Sequence, residues 1–225
     1  MTVAAVILAV DPGAALREVG GVANVRRLAD TAWAGGALPI VVVAPDPDGA
    51  VAVALAGSPA ILAGPAPAGA GFAGQACRGI DVARAEVEGT EAALLWPAAM
   101  GWVDAETVTS LIEAHGVDRS AVLRPAFRGR AGWPALVPAA HVERLRGLGA
   151  EHGAAALLDD LAASGVPARV VELGDPGATH DLATPLAELP PFEGPPEPSS
   201  AHHHEWGSPA AAGPDEPPQP ARTAD

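Results

Sequence analysis

The chain has no lysine: all 13 basic residues among its 225 are arginines. A Schiff base, a P-loop lysine and a lysine general base are therefore excluded as mechanisms. Cysteine occurs once, as Cys77. That rules out an internal disulfide and fits a reducing, cytoplasmic setting. No apolar run reaches the roughly 20 residues of a membrane helix, and the amino terminus lacks the basic region and cleavage site of a secretory signal. Positive charge is also scarce. With Lys+Arg 13 against Asp+Glu 27 the formal net charge is -14, which argues against nucleic acid as a partner, because proteins that bind it carry basic patches; the lack of a long apolar run argues against a membrane. A small nucleotide needs only a local group of donors and stays open.

What is present begins with an apolar, β-branched run, Val3–Val10, followed by the loop Asp11–Gly21, DPGAALREVGG. This reads as a buried strand feeding a helix through a Gly/Pro/Asp loop. In α/β proteins that junction is where nucleotide phosphates sit. Helical patterns follow at Asn24–Ala34, Ala50–Ala56, Gly74–Glu88, from the Asp104 N-cap to His115, at Ala140–Leu148 and at Ala154–Ser164. Strand patterns fall at Pro39–Ala44, Ala60–Ala63, Ala92–Trp96, Ala121–Arg124, Ala135–Val137 and Ala168–Leu173. Strands alternating with helices predict a single three-layer α/β domain over residues 1–189, with a mostly parallel, Rossmann-like sheet. From Pro190 onward the chain is Pro-rich and acidic with almost nothing to bury, and reads as a disordered tail, 190–225. Its His202-His203-His204 run is either low-complexity sequence or a loose metal ligand.

Several groupings bear on chemistry. Gly69-Ala70-Gly71-Phe72-Ala73-Gly74 has the G-x-G-x-x-G spacing, but the strand after it ends without the acidic residue of a dinucleotide fold. It reads as a helix-entry loop beside a ligand, with Gln75, Cys77 and Arg78 in the following turn. Cys77 reads as a packed small residue. Arg124, Arg128 and Arg130 cluster in RPAFRGRAGWP, either as anion ligands or as a solvated hairpin. His180 and Asp181 form a metal or acid–base pair, or else a capped turn.

The order of these pieces resembles the MobA-like nucleotidyltransferases over roughly Val3 to Leu189. It rests on VAAVILA, PIVVV, DAETVTSLIEAH, RPAFRGRAGWPALV and HDLATP. The resemblance implies a nucleotidyltransferase fold and a magnesium-dependent attack of a substrate phosphate, such as that of a pterin, on the α-phosphate of an NTP. With the first loop and the helix-entry loop taken together, nucleotide contacts are expected at Asp11, Gly13, Gly71, Gly74, Gln75 and Arg78; catalysis would rely on Asp11, Arg17, Asp104 or Asp181 in roles outside the family pattern, with Asp181 the metal-ligand candidate that remains. Trp96, Trp102, Trp133, Arg124 and Arg128 are implied at the substrate, the tryptophans either stacking on a ring or filling vacated space. The chain departs from the family pattern in three places. The first loop lacks its lysine, alanine stands at the metal aspartate after Trp96-Pro97, and Ala183 replaces an inner aspartate beside Asp181. The expectation is weak or absent transfer, with a non-catalytic nucleotide-binding or protein-scaffolding role as the alternative.

Overall fold

The opening apolar run forms β1, Thr2–Leu8, and from Val3 to Leu8 every residue of it is buried. The computed structural model describes residues 2–150 and 153–196; the histidine run lies outside them. The chain continues through α1 (Pro12–Leu16), the short hairpin β2 (Glu18–Val19) and β3 (Val22–Ala23), α2 (Asn24–Ala34), β4 (Ile40–Val43), α3 (Ala50–Ala54), β5 (Ala60–Ala63) and α4 (Gly71–Glu86). Then come β6 (Thr90–Pro97), α5 (Ala105–Val117), β7 (Val122–Phe127), β8 (Arg130–Ala131), β9 (Ala135–Pro138), α6 (Val142–Arg146), α7 (Ala154–Ala163) and β10 (Ala168–Glu172).

The main sheet has eight strands in the order β10-β7-β9-β6-β1-β4-β5, with β8 on β7. The β1–β4, β1–β6, β4–β5 and β7–β10 pairs are parallel. β9 runs antiparallel between β6 and β7. Strands buried on both faces read as continuous Val, Ile, Leu and Ala runs, which is why β1, β4 and β6 were visible as apolar blocks. The helices fall into two contacting groups, α4 with α6 and α7, and α2 with α3 and α5. The result is the expected α/β nucleotidyltransferase-like architecture.

The region from Asp11 to Gly21 is not the open loop the sequence predicts. Asp11 caps α1, its Oδ1 accepting from the Gly13 N–H at 2.9 Å, with Pro12 in the first turn. An Asp cap followed by Pro is a helix-starting pair. Gly20 and Gly21, at φ 62° and 80°, make the tight turn between β2 and β3, which needs positive φ at both positions.

On α5 the buried residues include Val108, Leu111 and His115. His115 is 1% exposed and neither ring nitrogen has a hydrogen-bond partner among the described residues. Burial pushes its pKa below the ordinary imidazole value, with Glu91 pulling the other way and Arg119 and Asp118 acting more weakly. The unfolded chain therefore takes up this proton near pH 6.5, and the folded chain only at lower pH. Stability present above that value is lost as pH falls. Urea unfolding of the wild type and His115→Phe should show their difference moving in favour of the variant below about pH 6.5, by at most about 1.4 kcal/mol per pH unit. A pH-independent difference would refute the assignment.

Candidate functional site

From β1 the chain builds outward through β4 to β5, then returns to β6 on the other side of β1. Register places Leu8 beside Pro97, so the carboxyl ends of β1 and β6 flank the point where strand order reverses. Open parallel sheets form a ligand crevice at such a point. A cavity of about 460 Å³ lies there, lined among others by Leu8, Asp11, Phe72, Gln75, Pro97 and Ala99. A smaller cavity of about 300 Å³ adjoins it, sharing Asp11, Ala14 and Ala99 and adding Gly13, Arg17 and Asp181.

The two sides of this crevice are joined by Asn24, which is fully buried. Its Nδ2 donates to the Ala14 carbonyl at 3.1 Å and to the Ala98 carbonyl at 2.7 Å. Its backbone N–H donates to the Arg17 carbonyl at 2.8 Å. Sequence reasoning took Asn24 only as the start of α2, and nothing local marks a bridge that spans 74 positions. Arg17 Nη1 donates to the Leu182 carbonyl at 2.6 Å. The one basic side chain of the first loop thus ties that loop to the 179–185 segment, at the edge of the smaller cavity.

α4 begins at Gly71, earlier than predicted, and has no side-chain cap. Among the described residues its leading amides thus have no side-chain partner beside the crevice. Of the expected nucleotide contacts, Asp11, Gly71 and Gln75 line the larger cavity and Gly13 the smaller. The Gln75 amide is already engaged: Oε1 accepts from the Ala66 N–H at 2.8 Å and Nε2 donates to the Ala66 carbonyl at 3.3 Å. Gly74 and Arg78 do not join them. One helical face round from Gly71 and Gln75, they line a separate cavity with Cys77.

The expected substrate residues are largely dispersed. Trp96 is fully buried and its indole N–H donates to the Met100 carbonyl at 2.9 Å, which corrects the expectation that it meets a ligand. Trp133 is 8% exposed, with its ring 5.8 Å from that of Phe72; it backs a crevice residue and does not line the crevice. Arg124 lies beside the Gly132 carbonyl and Asp159. Arg128, at φ 51°, bonds Glu193 and covers the Phe127 ring at 4.8 Å. Neither arginine lines the crevice: Arg124 is engaged by the Gly132 carbonyl and Asp159, and Arg128 by Glu193. The Glu193 contact also carries packing beyond Leu189, where the tail was expected to begin. Trp102 alone of this group stays near the site. Its Nε1 donates to the Asp181 and Thr184 carbonyls, each at 3.0 Å, and Arg27 lies 5.6 Å from the ring.

His180 and Asp181 do not act as a pair. His180 Nδ1 lies 2.8 Å from the Pro176 carbonyl, while Asp181 Oδ1 accepts from the Ala183 N–H at 2.9 Å in a turn of its own. Asp104 Oδ1 caps α5 through the Glu106 N–H at 2.9 Å. The carboxylate that holds this region together is Asp175, 1% exposed. It accepts from the Asp104 N–H at 3.0 Å, the Thr107 hydroxyl at 2.7 Å and the Gly177 N–H at 2.7 Å. Burial pushes its pKa up, against the pull of those three bonds. A sequence signal existed, since Asp175-Pro176-Gly177 repeats Asp11-Pro12-Gly13 and both aspartates cap a short helix in the same backbone conformation.

Asp11 and Asp181 each use Oδ1 in a turn, which leaves each Oδ2 without a partner among the described residues, and both residues line the smaller cavity. Magnesium is commonly held by one or two carboxylates completed by water and ligand phosphates. That donor set fits the residues present. Among the described residues no cluster of three or more His, Cys, Asp or Glu is placed to hold a metal, so no all-protein cage exists there.

A mostly parallel sheet with its crevice at the reversal of strand order defines an α/β protein of the kind that binds small ligands at strand ends. The family model of the MobA-like NTP transferase domain matches residues 14–166, and the chain belongs to that family. No curated protein matches the sequence. Among solved structures, a nucleotidyl transferase from Methanothermobacter is similar with a TM-score of 0.64 at 20% identity, covering 80% of this chain and 88% of that one. The 2-C-methyl-D-erythritol 4-phosphate cytidylyltransferase of Thermus thermophilus gives 0.60 at 20%, covering 84% and 96%. A Mycobacterium tuberculosis protein solved in complex with manganese gives 0.59 at 16%, covering 76% and 88%. No helix among the described residues is long and apolar enough to cross a membrane.

Proposed function

We propose that the chain binds a nucleoside triphosphate in the crevice between β1 and β6, and that it transfers the nucleotidyl group to a phosphorylated acceptor slowly at most. The observation that carries this reading is the composition of the crevice. Amides at the start of α4 without a side-chain cap among the described residues, and two carboxylates, suit a nucleotide with its cation, but Arg17, the one basic side chain among the described lining residues, is tied to the Leu182 carbonyl. Asp11 and Asp181 would hold a magnesium ion, which when bound offsets the negative charge of the phosphates. Arg17 would reach a phosphate only by exchanging its carbonyl partner. Trp102, whose indole N–H bonds the Asp181 carbonyl, and Phe72 in the larger cavity would be the aromatic partners of a ring-bearing acceptor such as a pterin. Transferring phosphates are stabilised mainly by preorganised cations and donors, and losing one such group costs about a hundredfold or more.

Calorimetry of the full chain with GTP, CTP and ATP, with and without magnesium, tests the binding half. At least one nucleotide should bind saturably in the presence of magnesium, and the double variant Asp11→Asn/Asp181→Asn should abolish the metal dependence. Silence for every nucleotide would overturn the reading. A pyrophosphate-release assay with phosphorylated pterin acceptors tests the second half, and a kcat of about 1 per second or more, the ordinary range for enzymes, would overturn slow transfer.

A further inference from the structure

A further cavity lies apart from the crevice. It measures about 700 Å³ and is bounded by the 64–67 loop, one face of α4 and the end of α6 through Ala150. It shares no lining residue with the crevice cavities. α4 separates them: Gly71, Phe72 and Gln75 face the crevice, while Ala70, Ala73, Gly74, Cys77, Arg78 and Asp81 form the stripe on the other cavity. That spacing of three and four residues is one helical face. The volume lies within the usual range for small-molecule sites, about 300–1,000 Å³.

Both side walls are fixed. Gln75 clasps Ala66 through both backbone groups. On the other side the chain closes directly on the start of α4. Gly71 has φ 63° and a side chain there would meet the Ala150 carbonyl at 2.0 Å, so only glycine permits this approach. The floor of Ala70, Ala73, Gly74 and Cys77 is apolar, and burial pushes the Cys77 thiol's pKa up, keeping it neutral.

The rim is charged. Arg78 Nε donates to the Gly64 carbonyl at 3.3 Å, leaving both terminal amino groups without a partner among the described residues. Arg146 Nη2 bonds Asp81 at 3.0 and 3.2 Å and its Nε lies 3.5 Å from Glu143, leaving Nη1 without one. The two guanidiniums are balanced by Asp81 in the lining and by Glu143 beside Arg146, and what the rim offers a ligand is the N–H groups of Arg78 and Arg146 left unpaired among the described residues. Free guanidinium N–H groups above an apolar floor match a phosphate or carboxylate attached to a compact apolar body.

We infer that this cavity is a second binding site, distinct from the nucleotide crevice, for a small anionic metabolite whose phosphate or carboxylate is held by Arg78 and Arg146 and whose apolar part rests on Ala73, Gly74 and Cys77. The assignment is independent of the nucleotide reading. A ligand there leans on the same helix that supplies the crevice with Gly71 and Gln75, one turn away.

Cys77 is the chain's only thiol and reports occupancy. The full chain is alkylated with N-ethylmaleimide and followed by mass spectrometry with phenyl phosphate, benzoate or inorganic phosphate present, while amide NMR shifts are read in parallel. Phenyl phosphate should slow alkylation and shift amides within 64–81 and 146–150. Arg78→Ala should raise the concentration giving half the effect about tenfold or more, and Arg78→Lys by less. Benzoate acting alone identifies a carboxylate ligand, phenyl phosphate acting alone a phosphate, equal effects a site that takes either, and inorganic phosphate acting as well as phenyl phosphate would overturn the role of the apolar floor. GTP should leave Cys77 alkylation unchanged whether or not it binds the crevice. The inference is overturned if none of the three probes alters either readout, if Arg78→Ala leaves the effect undiminished, or if GTP competes with phenyl phosphate.

Discussion

Asn24→Leu should lower the stability of the domain by about 2–4 kcal/mol and weaken nucleotide binding by about tenfold or more. The side chain donates to two carbonyls from elements far apart in sequence, Ala14 in α1 and Ala98 beyond β6. Leucine has a similar branched shape but offers no donor, so both carbonyls lose their partner in a buried place. A buried acceptor left unpaired costs about 1–3 kcal/mol. Removing the Asn24 Oδ1, itself buried without a partner, returns part of that loss. Asn24→Asp separates size from chemistry. It keeps the volume but sets a carboxylate against two carbonyl oxygens, and should be at least as damaging. Denaturant midpoints at constant m-value measure both variants. A loss below about 1 kcal/mol for Asn24→Asp would show that the bridge is not held by its donors.

This bridge shows what a sequence displays and what it hides. Asn24–Ala34 reads as a helix, and β5 as a short strand at Ala60–Ala63, because periodicity and Gly/Pro punctuation are local; the structure gives the same limits for both. β7 runs past its predicted end at Arg124, through Pro125 to Phe127. A proline ordinarily stops a strand, but here its carbonyl accepts from the Gly132 N–H at 2.7 Å and the ladder resumes at Ala126 opposite Ala131. The candidate site was legible as an address, the carboxyl end of β1, since strand order follows from alternating elements. Its side-chain roles were not. Arg124 and Arg128 read as anion ligands or a solvated hairpin, and Arg17 as a basic residue of the first loop, yet the partners of Arg17 and Arg128 lie 165 and 65 positions away, and no local pattern encodes such a choice. Trp96 was equally open: a large aromatic at a strand end suits a ligand or a core, and its complete burial, with the indole N–H on the Met100 carbonyl, assigns it to the core.

Asp175→Ala is the second large effect, expected to lower stability by about 2–4 kcal/mol at neutral pH and by more in acid. Removing the carboxylate strands three donors, the Asp104 and Gly177 N–H groups and the Thr107 hydroxyl, offset in part by the relief of a buried charge. The sign of the pH dependence follows from burial holding the Asp175 pKa above the ordinary value of 3.8. The folded chain binds this proton more tightly than the unfolded chain. The stability linked to it is therefore fully present below about pH 3.8 and is lost as pH rises through the raised folded value. The wild-type advantage over the alanine variant, which cannot titrate there, should shrink between about pH 4 and neutrality and then level off. Urea unfolding of both proteins across that range measures the difference while cancelling every other titrating group. An advantage that grows with pH would mean that the three hydrogen bonds outweigh burial, placing a charged Asp175 among the stabilising anchors of the segment that carries Asp181.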